Sequence, residues 1–175
     1  PADQAVLLKN FIRVAAMRRG QSVCFMPRWS LEADSQSTHL HISLLDADGG
    51  PLFWNDAAEY RMSDTFRHFL GGLQTYLPPM MLMMAPTVNS WRRFAEGTFA
   101  PPGYTWGVEN RTCAFRVVGH DARSLRFENR LPGADTNPYL TMAASLSAGL
   151  AGIEGRVEPT APTSGNGYVP GVGIG

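Results

Sequence analysis

Two short segments that alternate polar and apolar residues constrain the fold most. One is His39-Leu40-His41-Ile42-Ser43-Leu44; the other is Arg126-Phe127-Glu128-Asn129-Arg130-Leu131. A period of two is the signature of a strand, whose successive side chains leave on opposite faces. The first segment then presents His39, His41 and Ser43 on one face and Leu40, Ile42 and Leu44 on the other. The second presents Arg126, Glu128 and Arg130 opposite Phe127 and Leu131. If both polar faces line one cleft, it gathers imidazoles, a carboxylate and guanidiniums. That set suits a metal ion bound together with phosphate and carboxylate groups. Taken singly the residues mean less: a lone strand histidine is usually structural, and alternating charges are by default an exposed ion-pair stripe.

Helical signals occupy other parts of the chain. Residues 2–19 read as a helix, with Leu7, Phe11 and Val14 on one stripe, Asp3 in the first turn and Gly20 as C-cap. Residues 21–26 read as a strand and 28–37 as a loop, and Asp48-Gly49-Gly50 marks a turn. Ser63 reads as the N-cap of a helix carrying Phe66, Phe69, Leu70 and Leu73, which Gly71-Gly72 weakens. Pro78-Pro79 opens a short Met-rich helix, residues 88–94 form another, and 98–107 read as a structured loop. Residues 113–118 and 124–131 read as strands joined through Gly119-His120-Asp121. Asn137-Pro138 starts a last helix that runs to about Glu154, with Gly155 beyond it. The sum is an α+β fold of antiparallel strands with packed helices, residues 1–156, followed by a Pro/Gly-rich tail at 157–175.

Composition narrows the function. A length of 175 residues suits one domain. A net charge of zero argues against nucleic acid as a partner. The four methionines within 79–86 are core packing or, less readily, a partner-binding patch, and that run is too short to cross a membrane. Cys24 and Cys113 sit far apart in apolar segments without a C-x-x-C pattern. They read as buried free thiols in a reducing compartment, hence a cytoplasmic protein. Lys9 is the only lysine, while Arg92, Arg93, Arg111, Arg116, Arg123, Arg126 and Arg130 crowd one stretch. Codon bias accounts for that as readily as a need for the planar fork that grips carboxylate and phosphate.

Five pieces, in order, resemble one family. They are His39-x-His41-x-Ser43-Leu44, Pro86-Thr87-Val88-Asn89-Ser90-Trp91-Arg92-Arg93, Trp106-Gly107-Val108-Glu109-Asn110-Arg111, Arg126-Phe127-Glu128-Asn129-Arg130 and Asn137-Pro138-Tyr139-Leu140. Together they are similar to the glutamine synthetases. The resemblance implies an ATP-dependent ligase in which the γ-carboxylate of glutamate takes the γ-phosphoryl group of ATP and an amine then displaces phosphate. It implies Mg²⁺ or Mn²⁺, and a site formed between neighbouring subunits of a ring-shaped homo-oligomer. By motif, His39 and Glu128 would be metal ligands, and His41, Ser43 and Arg126 would serve ATP. Arg111 and Arg116 would hold the transferring phosphoryl group, and Arg93 and Arg130 the glutamate. Asn137-Pro138-Tyr139-Leu140 is a helix start with a structural role.

Two departures from the family pattern shape the expectation. Family members carry an N-terminal β-grasp domain and further metal-binding glutamates that nothing here matches, whereas a hard divalent ion takes about six ligands. The chain therefore reads as part of a longer ligase, inactive by itself; the alternative is a catalytically dead module for binding or oligomerisation. Second, ammonia-using members place a glutamate before the Ala-Pro of the loop after Arg93, where this chain has Phe99 before Ala100-Pro101. With Phe99 and Trp106 as an amine pocket, an organic amine rivals ammonia as nucleophile, and the wording of the motifs is closest to the γ-glutamylpolyamine and γ-glutamylamide synthetases.

Overall fold

The structure, a computed structural model, describes residues 1–168. Both alternating segments become neighbouring strands. The sheet has four strands in the order β1-β4-β3-β2, with β1 at Leu40–Ile42, β2 at Trp106–Val108, β3 at Phe115–Val118 and β4 at Arg126–Asn129. β4 is central and antiparallel to both β1 and β3; β2 lies at the edge, parallel to β3. The helices are α1 (Ala2–Met17), α2 (Asp64–Tyr76), α3 (Val88–Trp91) and α4 (Pro138–Gly155). This is the expected α+β architecture, but the end of the loop expected at 98–107 is a strand, and its pairing is parallel.

Alternation sorts the sheet into two faces. Phe115, Val117 and Phe127 point to one side, where Phe66, Phe69, Leu70 and Leu73 of α2 and Ala144 and Ala148 of α4 cover them. The rings of Phe69 and Phe127 lie 5.2 Å apart, tilted, and Phe53 stacks on Phe66 at 4.3 Å. Each fully buried side chain of this size contributes about 1.5–3 kcal/mol. Asn129 also faces the core and satisfies its amide by donating to Ser145 Oγ at 3.1 Å. The polar face, by elimination, is left for chemistry.

Local signals account for the helix ends. Ser63 Oγ accepts from Phe66 N–H, and the Asn137 side chain accepts from the N–H groups of Tyr139 and Leu140. Gly20, at φ 66, closes α1 with Gln21 N–H on Ala16 O and Gly20 N–H on Met17 O. At α4 the same closure falls one residue later than Gly155: Arg156 takes the left-handed conformation, at φ 50.

Gly71-Gly72 does not interrupt α2; Gly72 forms a notch into which α4 fits, and Gly71 lets the backbone of Val157 and Glu158 pass closely. A Cβ on Gly72 would stand 2.3 Å from Ala148 O and 2.6 Å from Gly152 Cα, and one on Gly149 would stand 2.1 Å from Phe69 Cζ. The propensity lost by glycine is offset by close helix packing.

Other expectations are corrected. Residues 21–26 form no strand, because no described strand lies beside them to complete a ladder. Cys24 on that segment is consequently exposed, while Cys113 is buried as expected. The stripe of α1 faces outward, with Leu7 66% and Phe11 70% exposed. Of the Met-rich segment, now a 3₁₀ turn at Pro78–Met83, Met81 packs in the core, as does Met84 just beyond it. Part of the Pro/Gly-rich segment runs along α2 and β2: Glu158 pairs with Arg67, Trp106 Nε1–H donates to Thr160 O at 2.7 Å, and Thr163 N–H donates to Trp106 O at 2.8 Å. Residues 169–175 of that segment lie outside the described residues. Among the described residues no helix is long and apolar enough to cross a membrane.

The notch makes a direct prediction. Gly72→Ala should destabilise the chain by about 1–3 kcal/mol through overpacking. Gly155→Ala, whose Cβ would meet side-chain atoms only, Val157 Cγ2 at 3.3 Å and Tyr76 Oη at 3.9 Å, should change stability far less. Urea unfolding followed by circular dichroism reads both, and equal midpoints for Gly72→Ala and the unsubstituted chain would exclude a tight helix crossing.

Candidate active site

The polar face of the sheet is organised by register. His41 of β1 stands opposite Glu128 of β4, which stands opposite Arg116 of β3, which stands opposite Gly107 of β2. Cross-strand partners share a face, so one row runs across all the strands with Glu128 near its middle. Residues two positions away on β4 and its extension, Arg126 and Arg130, join the same face. His39, just ahead of β1, reaches Glu128 from the side.

Glu128 is 3% exposed and surrounded by donors. Its Oε1 lies 2.7 Å from His39 Nδ1 and accepts from Arg130 Nη1 at 2.9 Å; its Oε2 accepts from Arg116 Nη1 at 3.2 Å. Burial by itself pushes the carboxyl upward. The His39 hydrogen bond and the Arg130 charge outweigh it and hold the group at about 2. Arg116 also gives Nη2 to Glu109 Oε2, so it bridges two carboxylates, and these outweigh burial to raise its own pKa.

The bonding fixes the histidine tautomers. A 2.7 Å contact between His39 Nδ1 and a carboxylate puts a proton on Nδ1 and leaves Nε2 pointing away from Glu128. The 3.5 Å approach of Arg130 Nη1 to the same nitrogen is therefore proximity between two donors. At His41 the order is reversed. Arg126 Nε–H donates to Nδ1 at 3.1 Å, so the proton sits on Nε2, 3.8 Å from Glu128 Oε1. Burial first, and then Arg126 and the neighbouring cations, outweigh the nearby Glu128 carboxylate and lower the pKa of His41.

The remaining expected residues are spread around this row. Arg126 also donates to Ser124 O at 2.8 Å. Ser43 is exposed just beyond the end of β1. Arg111 is exposed and lines, with Glu109, Asn110, Arg116 and Thr163, a cavity of about 590 Å³. Phe99 is 61% exposed, in the left-handed conformation at φ 57. Its carbonyl accepts from Arg130 Nη2 at 3.3 Å, which sets the Phe99 loop against the row.

Two expectations meet a different geometry. Arg93 does not reach the row with its guanidinium. It is fully buried, donating to Leu131 O at 3.0 Å and Arg130 O at 2.9 Å, and burial lowers its pKa to about 10. Trp106 lies on the core face, because it stands opposite Phe115 and so alternates away from Arg116. It is 4% exposed, with its ring edge-on to Tyr60 at 6.1 Å, and it does not line a pocket with Phe99 on the polar face. The motif reading passed over Glu109, although it lies inside the quoted Trp106-Gly107-Val108-Glu109-Asn110-Arg111. A carboxylate two positions before Arg111 was the available signal.

The donor set bears on the implied divalent ion. Among the described residues no group of three His, Cys, Asp or Glu side chains has a geometry that could hold one. Glu128 is the row's only buried carboxylate, and guanidiniums already neutralise it. Arg116 and Arg130 pair with Glu109 and Glu128, and Arg126 adds a third guanidinium beside His41, so the guanidiniums outnumber the carboxylates and the face favours an anion. These residues alone do not fit a divalent cation.

Comparison with known proteins identifies the family. A family profile described as "Glutamine synthetase, catalytic domain" matches residues 1–171. The chain is 49% identical over 166 residues to a γ-glutamylethanolamide synthetase of Streptomyces coelicolor, covering 95% of this chain and 35% of that protein. It is 40% identical over 167 residues to a glutamate–isopropylamine ligase of a Pseudomonas species, covering 95% and 36%. A solved structure described as apo GmaS without ligand superposes with a TM-score of 0.85 at 35% identity, covering 95% of this chain and 38% of that one. The chain thus spans little more than a third of each of these proteins. The match runs through the strands and loops that build the row around Glu128, and the chain belongs to the glutamine synthetase family as part of its catalytic domain.

Proposed function

We propose that the protein containing this chain is an ATP-dependent ligase joining an organic amine, or ammonia, to the γ-carboxylate of glutamate. The supporting observation is the cationic row around one buried carboxylate, a surface that suits anionic phosphate and carboxylate groups. A γ-carboxylate oxygen attacks the γ-phosphorus of ATP, the bond to the ADP oxygen breaks, and γ-glutamyl phosphate forms. The amine nitrogen then attacks the γ-carbonyl carbon, phosphate leaves with the C–O bonding electrons, and the nitrogen loses a proton.

Each side chain has a part in this reading. Arg111 and Arg116 hold the transferring phosphoryl group, where charge builds in the transition state. Arg126, His41 and Ser43 serve the nucleotide. Arg130 takes a glutamate carboxylate. Arg93, bonded to the Arg130 carbonyl, acts through it by fixing that backbone. His39 and Glu128 are this chain's share of a Mg²⁺ or Mn²⁺ site; the other carboxylates come from the rest of the protein. The working form is a ring-shaped homo-oligomer in the cytoplasm.

The isolated chain should not release phosphate from ATP and glutamate, because its own residues leave the metal–phosphate charge unmatched. A malachite-green assay reads this, and clear glutamate-dependent release would overturn the division of ligands. In the full-length protein, His39→Ala and Glu128→Ala should each weaken Mg²⁺ dependence and cut turnover by roughly ten- to a hundred-fold or more. Unchanged Mg²⁺ titrations in both variants would remove His39 and Glu128 from the metal site.

The nucleophile follows from Phe99. Ammonium needs a carboxylate to bind it and accept its proton, and the Phe99 ring does neither. An amine with buried methylenes gains about 0.8 kcal/mol for each against such a ring. Two or three of them favour the amine by roughly ten- to sixty-fold in kcat/KM. Ethanolamine, putrescine, spermidine and ammonium are compared in the full-length enzyme. Ammonium as the best substrate by a wide margin would defeat the amine reading, and Phe99→Glu should shift preference toward ammonium.

A further inference from the structure

We propose that Glu109 is a resident stand-in for the phosphoryl group: its carboxylate occupies the edge of the Arg116 guanidinium that an incoming phosphoryl oxygen takes over. This rests on reading Arg116 as a phosphoryl-binding residue. Arg116 Nη1 donates to Glu128 and Nη2 to Glu109, and both face the polar side of the sheet. The two carboxylates are held very differently. Glu128 is buried and fixed by His39, Arg116 and Arg130 together. Glu109 is half-exposed, and among the described residues its carboxylate has besides Arg116 one other ion-pair neighbour, His120 at 4.0 Å. Glu109 is the exchangeable partner.

Its placement supports exchange. Glu109 follows β2 in the left-handed conformation, at φ 49, a region that costs a non-glycine residue energy and is kept where the surroundings require it. That turn directs the side chain back over the sheet onto Arg116, while the Glu109 N–H is pinned to Val117 O at 2.9 Å. The carboxylate can therefore leave by side-chain torsions alone. The same cavity holds Arg111, exposed and without an ion pair among the described residues. A phosphoryl group or inorganic phosphate, with more charge and more acceptor oxygens than a carboxylate, displaces Glu109 by engaging Arg111 and Arg116 together. When phosphate departs, Glu109 returns to Arg116 Nη2, the edge of the guanidinium that Glu128 leaves free. Phosphate affinity is set by this competition, which assists product release.

The test uses full-length protein and inorganic phosphate as the probe. Glu109→Gln keeps the shape and removes the charge. Phosphate should inhibit Glu109→Gln roughly two- to five-fold more tightly, the scale of a half-exposed ion pair, and Arg116→Gln should abolish the inhibition in either background. Damage to the fold does not produce tighter binding. If Arg116→Gln abolishes inhibition while Glu109→Gln leaves it unchanged or weaker, the stand-in role is overturned and Arg116 keeps its phosphoryl role. If Arg116→Gln leaves phosphate inhibition unchanged, the phosphoryl reading falls and the Glu109 proposal falls with it.

Discussion

Glu128 is the point on which the polar face turns. A carboxylate at 3% exposure is costly to keep ionised unless it is paired. Here three strands and a flanking segment each contribute a partner: His39 and His41 from one side, Arg116 from the other, and Arg130 from its own strand. Arg130 needs Glu128 just as much, because among the described residues it has no other ion-pair partner, whereas Arg116 keeps Glu109. Removing one member of such a buried set costs more than the set itself contributes to stability. The network is therefore better understood as fixing positions than as adding free energy. It sets the tautomer of His39, aligns two guanidinium forks, and leaves a face whose remaining charge is positive.

That face needs a rigid backing, which the other side of the sheet supplies. The sheet strands are only three or four residues long, too short to hold geometry by themselves. Phe115, Val117 and Phe127 are pressed between the strands and α2, and α2 is pressed in turn against α4 through glycines that allow their backbones almost to touch. The loop with Phe99 is tied down separately. Arg130 Nη2 holds the Phe99 carbonyl, and Ser35 Oγ donates to the neighbouring Thr98 O at 2.9 Å. Arg93 ties the backbone of Arg130 and Leu131 to the segment after α3. The groups proposed to meet substrate thus sit on a short stretch of sheet clamped from behind and from one edge.

The amino-acid order by itself determined the local facts. Alternation placed His39 with His41, and Arg126, Glu128 and Arg130 together, on single faces. Ser63 and Asn137 marked helix starts, Gly20 marked an end, and the ordered motifs identified the family. These follow from neighbouring residues, since strand alternation and capping act within a few positions. Tertiary structure decided what depends on distant partners. Register alone puts His41 and Arg116 on either side of Glu128, and register turns Trp106 into the core although its motif suggested a site residue. Burial sends the Arg93 guanidinium to two carbonyls, and a left-handed turn aims Glu109 at Arg116. Residues 21–26 carry an apolar run that suits a strand yet form none, because a strand is completed by hydrogen bonds from another segment. Local pattern chooses which side chains share a face, and only the pairing of segments far apart in sequence decides what that face meets.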